Sequence, residues 1–570
     1  MSFCLPKELS DKFVKALKTG VIKPGELIQM TSEERRSFLA KIVGEEDAKP
    51  VNALLESKLL LKDQKRGMVS WAKKVAGISE EVRHDMISKI EKMDKILNAK
   101  DEQTFLEDLA SQRLGTDVTF QEAQVIADLS KKVTESKAKV SGDIGSASRI
   151  EYGAHRVALQ EYMKELKLEK ADTAFSGIKD KLRTNPLGAM KDVVTEIGGM
   201  SKGILASFDN SFAGRQGFGA IFTYPKEWAS NFAQSFGYID KQLGKKASDN
   251  SVIDGIKADI YSRPNAIDGT YSKMKLDIGL DSEEAYPTSL PEKIPGLGRM
   301  YKASETAYNG MAIRLRADIA DKLLEIARDQ HVDLTDKLEI ESIGRLVNSL
   351  TGRGNLGAAE KVAGHFNTVF FSPRSVKANF DFLTLHATDK MSVFARKQAA
   401  TNLLKTSAGI ATIMMTANAL WPGSAELDPT STDFGKIKIG NTRFDISGGK
   451  LGLVVLAARM ITGHTKSSTT GKTSELNSGK FGGTTKMDLL MNFALNKTAP
   501  VPSAIVSYLR GHDFAGNKPT LKSTATNLVV PLPFSNIHSL MSDPNAANPL
   551  VAEIFDALGF VTNTYTPKKK

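Results

Sequence analysis

Apolar positions recur along most of this chain at spacings of three and four, the period of a helix with one buried face. Thr31 and Glu34 stand ahead of Phe38, Leu39, Ile42 and Val43, and Gly44 follows. That order predicts a short helix opened by a capping box and closed by glycine. Ser79, backed by Glu80 and Glu81, opens a longer pattern through Val82, Met86, Ile90, Met93 and Leu97. Thr119 and Glu122 repeat the capping box before Val125, Ile126, Leu129 and Val133. Between these, Leu59, Leu60 and Leu61 lie consecutively inside Leu54–Lys74, flanked by Lys58 and Lys62, which predicts a helix buried on more than one side. A further helix carries Ile150, Val157, Tyr162, Met163 and Leu166. From Ser304 the stripe Ala307, Met311, Leu315, Ile319 and Leu323 leaves Arg314, Asp318 and Lys322 off its face.

Breaks in this code predict the organisation. Glycine and phenylalanine rise from Gly198 to Tyr238, which reads as short helices joined by glycine. Prolines 264, 287, 291 and 295 make Tyr261–Gly298 an extended connector, or an arm wrapping a neighbouring subunit. One β signal stands out: KIKI, then Gly440-Asn441, then TRFDIS, which suits a type II′ hairpin. The expected fold class is mainly α, multi-module and extended rather than built on one compact core, with a small β-hairpin near 436–447. The expected modules are an N-terminal helical bundle (1–140), a Gly/Phe-rich helical module (141–260) and the connector (261–300). A helical module (301–425), the hairpin with a basic Gly/Ser/Thr-rich loop (426–486) and a C-terminal helical or irregular module with a basic tail (487–570) complete the chain.

One segment departs from the amphipathic rule. Thr406–Trp421, TSAGIATIMMTANALW, has no charge in 16 residues. As a helix it would rise about 24 Å, short of the roughly 30 Å hydrocarbon thickness of a bilayer. Lys405 before it and Trp421 after it are residue types that anchor at membrane interfaces. Gly409, Ala411 and Ala417 would permit close helix packing. The expected place is a buried subunit or domain interface, with lipid contact after a structural change as the alternative. The candidate contact residues are Lys405, Ile410, Ile413, Met414, Met415, Leu420 and Trp421.

Charge adds a second candidate. The net charge is +11, and the window Lys436–Lys486 holds nine Lys/Arg against Asp445 and Glu475. Such a balance suits an anionic partner, nucleic acid or a membrane surface. Lys466, Lys472, Lys480 and Lys486 are the candidate nucleic-acid or anion contacts. The chain ends on Lys568, Lys569 and Lys570. A single cysteine, Cys4, excludes an internal disulfide framework and a Cys-rich zinc site. Charges at Lys7 and Glu8 predict no secretory signal.

Several strings resemble enzyme motifs without their context. Gly352-Arg-Gly354-Asn-Leu-Gly357 fits G-x-G-x-x-G, but the preceding ESIGRLVNSLT has helical spacing, whereas a dinucleotide site needs a strand there. KSSTTGKTS (466–474) lacks the glycine five residues before Gly471. LGLVVLAARM before it could be a strand, but the glycines that follow suit no phosphate-cradling helix, so a basic loop is expected. SETAYNG resembles strings of lytic transglycosylases and puts Glu305 forward as a general acid, although a place in a helix's first turn explains it as well. The eight histidines are scattered, none paired at i, i+4. No catalytic residue, cofactor or metal site is predicted.

The wording of longer segments is informative in another way. SFLAKIVGEEDAKPVNALLESKLLLKDQKRGMVSWAKK, SRPNAIDGTYSKMKLDIGLDSEEAYPTSLPEKIPGLGRMYKASETAYNGMAIRLRADIA and NTVFFSPRSVKANFDFLTLHATD resemble the large polyvalent proteins of tailed bacteriophages. FDISGGKLGLVVLAARMITGHTKSSTTGKTSELNSGKFGG and APVPSAIVSYLRGHDFAGNKPT are similar to the C-terminal part of that family. The resemblance implies an internal virion protein, made in the host cytoplasm, held in the particle interior or its tail and neck region, and ejected with the genome to assist DNA passage across the host envelope. It implies other virion proteins, copies of itself, packaged DNA and host membrane as partners. A non-ejected inner-core or neck component is the alternative, with the Pro-rich arm lacing subunits together. A peptidoglycan-acting enzyme resting on Glu305 is the second.

Overall fold

A computed structural model describes residues 29–75, 87–93, 118–142, 146–176, 212–278, 298–357, 372–468, 470–477, 484–511, 518–520 and 537–565, with a few scattered positions besides. It is mainly α, with a few short antiparallel strands among the described residues. The chain forms two compact units, Met1–Asp143 with Ala158–Asp172, and Ile144–Val157 with Thr173–Lys570.

In the smaller unit, helix α1 (Ser32–Val43) carries the predicted capping box. The Glu34 amide donates to Thr31 Oγ1 at 3.4 Å, and the Thr31 amide donates to Glu34 Oε2 at 2.9 Å. Gly44 ends the helix at φ +96°, where a side chain would be strained. Leu39 and Val43 pack with Val51 of α2 (Glu45–Val75). In α2 the leucine triplet divides, with Leu61 buried and Leu60 exposed. Helix α3 (Phe120–Gly142) starts from the second capping box, the Thr119 amide donating to Glu122 Oε2 at 2.7 Å. Ile126 is buried beside Leu159 and Leu166 of α4 (Ser146–Ser176). The helix start expected at Ser79 lies outside the described residues.

The larger unit is built on α9 (Gly298–Asp329), whose sequence stripe Ala307, Met311, Leu315, Ile319 and Leu323 is wholly buried. Helices α5 (Pro225–Leu243), α6 (Ser251–Tyr261) and α10 (Lys337–Leu350) pack against it. One hydrophobic cluster draws on residues from Val157 to Ala399. The segments read as separate modules, 141–260, 261–300 and 301–425, therefore contribute to a shared core.

The connector is corrected for its first half. Pro264 occupies the first turn of α7 (Pro264–Ile267), where its missing N–H costs nothing, and α8 (Thr270–Lys273) follows. Tyr271, Met274, Leu276 and Ile278 are buried in the cluster. Met274 lies directly on α10: a Cβ at Gly344 would fall 1.8 Å from its carbonyl oxygen. Residues 279–297 lie outside the described residues.

Asp277 ends this segment among arginines. Arg353 pairs with its carboxylate at 2.7 Å and Arg374 at 3.3 Å. The fully buried Arg316 of α9 donates to the Asp277 carbonyl, and to the Thr351 hydroxyl at 2.8 Å. Burial pushes the Asp277 carboxyl up, but the three arginines outweigh it and hold it below the usual carboxylate range.

Helices α11 (Pro373–Thr384) and α12 (Val393–Leu420) follow. The predicted hairpin is present as β1 (Lys436–Ile439) and β2 (Thr442–Asp445), in register Ile439↔Thr442, with Gly440 alone at positive φ in the turn. A third strand, β5 (Val561–Thr564), pairs with the far side of β2. Helix α13 (Leu451–Thr462) leads to a second hairpin, β3 (His464–Lys466) and β4 (Thr473–Glu475). Helices α14 (Lys486–Leu495), α15 (Pro500–Arg510), α16 (Ile537–Ser542) and α17 (Pro549–Ala557) complete the described chain.

Candidate interaction surface

The uncharged segment is the second half of α12, and the first half anchors it. The Ser392 hydroxyl accepts from the Ala395 amide at 3.1 Å and caps the helix. The Ser392 amide donates to the Ser342 hydroxyl of α10 at 3.0 Å. Phe394, Ala395 and Ala399 then enter the core, and the buried line continues through Asn402, Thr406, Met414 and Ala417. Gly409 receives the Phe222 ring: a Cβ there would sit 2.2 Å from Phe222 Cε1.

The helix end is tied as firmly. The Gly423 amide donates to Asn418 Oδ1 at 2.8 Å, with Gly423 at φ +81°. The Ser424 hydroxyl donates to the Ala417 carbonyl at 3.0 Å, and the Lys438 amide to the Ser424 carbonyl at 2.7 Å. These bonds fasten the end of α12 to β1.

The opposite side of the same helix is bare. Leu404 and Met415 are each 69% exposed. Exposed Ala408 and Ala411 lie between them at i+4 and i+7 from Leu404, so the four share one stripe. Leu420, on another side of the last turn, and Trp421, just beyond the helix, are each 63% exposed. Of the other predicted contacts, Lys405 and Ile413 are exposed and Ile410 is half-buried. Met414 is corrected. It is 2% exposed, because one step of 100° from Met415 turns it into the interior. The expected burial of the whole segment in an interface is therefore met on one side only within this chain. Among the described residues no helix is long and apolar enough to cross a membrane.

Further apolar side chains are bare in the region that follows α12. Ile461 of α13, Met487 and Met491 of α14, and Ile505 and Leu509 of α15 are all exposed. Helix α14 has no buried residue, although its Thr485–Asp488 capping box is complete.

The predicted anion contacts fare differently. Lys466 is committed to acids, 2.9 Å from Glu426 and 3.7 Å from Asp428, and the Glu426 hydrogen bond raises its pKa. Lys472 is exposed in the turn between β3 and β4. Lys486 is the first residue of α14, its amide donating to Asn477 Oδ1 at 3.2 Å. Lys480 lies outside the described residues.

The phosphate-loop resemblance is removed by topology. LGLVVLAARM forms helix α13 rather than a strand, and 466–474 joins two strands. A helix, α10, also precedes the glycines at 352–357. Glu305 is corrected as well: it lies two turns inside α9, buried and paired with Lys302 at 2.9 Å, not in a first turn. Among the described residues no three His, Cys, Asp or Glu side chains gather as a metal site.

Sequence reading missed Lys450. It is buried, with its Nζ 5.3 Å from the Phe218 ring centroid, 5.6 Å from that of Phe382, and 3.2 Å from the Arg215 carbonyl that accepts its hydrogen bond. Burial pushes its pKa down to about 8. No local pattern marks it, because both rings come from distant parts of the chain.

Comparison with protein-family models, curated proteins and solved structures finds no match to this chain.

Proposed function

We propose that this protein is an internal, virion-associated protein of a tailed bacteriophage, delivered with the genome. On release, the bare side of α12 seats on the anionic lipid surface of the host envelope. The virion assignment is supported by the phrase-level resemblance. The contact is supported by one observation: a helix fixed on one side and at both ends presents an uncharged stripe from Leu404 to Met415, with Leu420 and Trp421 also exposed at its C-terminal end. From Leu404 to Met415 the stripe runs about 16 Å at 1.5 Å per residue. That is too short to cross the roughly 30 Å hydrocarbon core, so the reading is contact at the interface and not a span. Trp421 suits the headgroup level, and the net charge of +11 favours an anionic surface. The reading is a binding role, with no reaction assigned.

Two measurements test it. Full-length protein is mixed with phosphatidylglycerol vesicles and followed by tryptophan emission and limited proteolysis. Emission shifts to the blue, the shift is lost in Trp421→Phe, and cleavage between Leu404 and Trp421 is suppressed. Unchanged emission and cleavage would sink the lipid contact. Mass spectrometry of intact against DNA-emptied particles tests delivery, since a protein retained after emptying is a scaffold.

A further inference from the structure

We propose that a cleft between α10 and the 274–277 turn binds a phosphate group. The cleft, of about 210 Å³, is lined by Lys275, Arg345, Arg353 and Lys390 against a single carboxylate, Glu341. Asn348, Asn355 and Ser342 add neutral hydrogen-bonding groups to its wall. It is smaller than the roughly 300–1,000 Å³ of sites for drug-sized ligands, so it suits one anionic group rather than a whole cofactor.

The acids nearby are already shared among several cations. Glu341 lies 3.0 Å from Lys275 and 4.0 Å from Lys337. Asp277 is held by Arg353 and Arg374. Asp381, behind Arg345, is bound by Lys377 and by the Ser349 hydroxyl at 3.0 Å. Arg345 reaches Asp381 only at 3.7 Å, beyond hydrogen-bonding distance, and its buried Nε has no hydrogen-bond partner. A guanidinium so placed has donors in the fork geometry that recognises phosphate.

The rim is built, not incidental. Lys275 takes φ +54°, a left-handed backbone that a side chain adopts at a cost. Asn348 fixes that turn from both sides: its Nδ2 donates to the Lys275 carbonyl, and its Oδ1 accepts from the Asp277 amide, each at 2.9 Å. Gly344 lets the turn sit against α10. The strain is spent on a conformation that holds Lys275 at the mouth of the cleft.

The phosphate could be free or part of a nucleic-acid backbone, and the test separates these. Full-length protein is titrated at constant ionic strength with inorganic phosphate, with chloride as reference, and separately with a short single-stranded oligonucleotide. Binding is read by calorimetry and by the rise in unfolding temperature. Arg345→Gln and Lys390→Gln each weaken phosphate binding about tenfold, the scale of one hydrogen bond to a charged group. Lys241→Gln, exposed on α5 and outside the cleft, leaves it unchanged. Lys390 is exposed in a turn between α11 and α12, so its substitution carries the test even where Arg345→Gln disturbs Asp381. Displacement of bound oligonucleotide by phosphate identifies a nucleic-acid source, and binding of phosphate alone identifies a small molecule. Failure of both probes to bind, or binding that both cleft variants leave intact, overturns the proposal.

Discussion

Glu553 of α17 is a carboxylate with both oxygens buried and neither hydrogen-bonded. Burial, reinforced by Asp556, pushes its pKa up to about 7. The unfolded chain would release that proton near 4.5. The folded state therefore holds more proton between these values. Its contribution to stability is fully present below the unfolded pKa and is lost as pH rises through the folded one. Glu553→Gln should raise the unfolding temperature at about pH 8 and match the wild type at about pH 4, below the unfolded pKa. Thermal melts at the two pH values check this, and an equal shift at both would contradict it. Lys450 presents the opposite case, a cation pushed toward neutrality by burial and held by two aromatic faces and one carbonyl.

At the scale of elements, α12 carries the functional argument because its two sides obey different rules. Met414 and Met415 are neighbours in sequence and opposites in environment. Met415→Lys should change stability by no more than about 0.5 kcal/mol, as for other exposed positions. It should also weaken vesicle binding, since a charge replaces one of the two large apolar side chains of the stripe. Met414→Lys should cost about 3 kcal/mol or more, because it forces a charge into a position that is 2% exposed. Denaturant titration of both variants, beside vesicle co-sedimentation of Met415→Lys, measures the difference. Charge density along the chain does not by itself say which cations are already paired. Lys466 stands in the most basic window yet pairs with Glu426 and Asp428. The cleft at α10 instead collects cations from 275, 345, 353 and 390, more than a hundred residues from end to end.

For the larger unit as a whole, the C-terminal segment acts as a closure. Strand β5 pairs with β2 across some 120 residues of chain, Thr442 opposite Thr564 and Asp445 opposite Val561. Just before it, the Leu558 carbonyl accepts from the Gly214 amide at 2.9 Å. Phe444 of β2 is buried with Leu540, Ala547 and Ala552. Removing the chain from Val561 onward should turn β2 into an edge and raise hydrogen exchange at the 442–445 amides. Exchange in α9, which lies in a separate hydrophobic cluster, should stay slow. Mass-spectrometric exchange on the truncated protein tests this, and unchanged protection in β2 would show that the third strand is dispensable.

Much of the helical code was legible because it is local. A capping box needs only residues three apart, so Thr31 with Glu34 and Thr119 with Glu122 declared two helix starts. The stripe of α9 and the Gly440 turn follow from spacings of a few residues. Tertiary structure decided the rest. It folded Tyr261–Ile278 into the core despite a proline, since the burial of Tyr271, Met274 and Ile278 outweighs a weak local preference for extension. It gave β2 a second partner that no local pattern could announce, and it chose which side of α12 to cover. The sequence by itself determined where helices begin, which positions repeat and that residues 406–421 carry no charge. Only the tertiary structure decided which of those faces meet. Local signals act through neighbours on one element, whereas burial and ion pairing depend on groups brought together by the path of the whole chain.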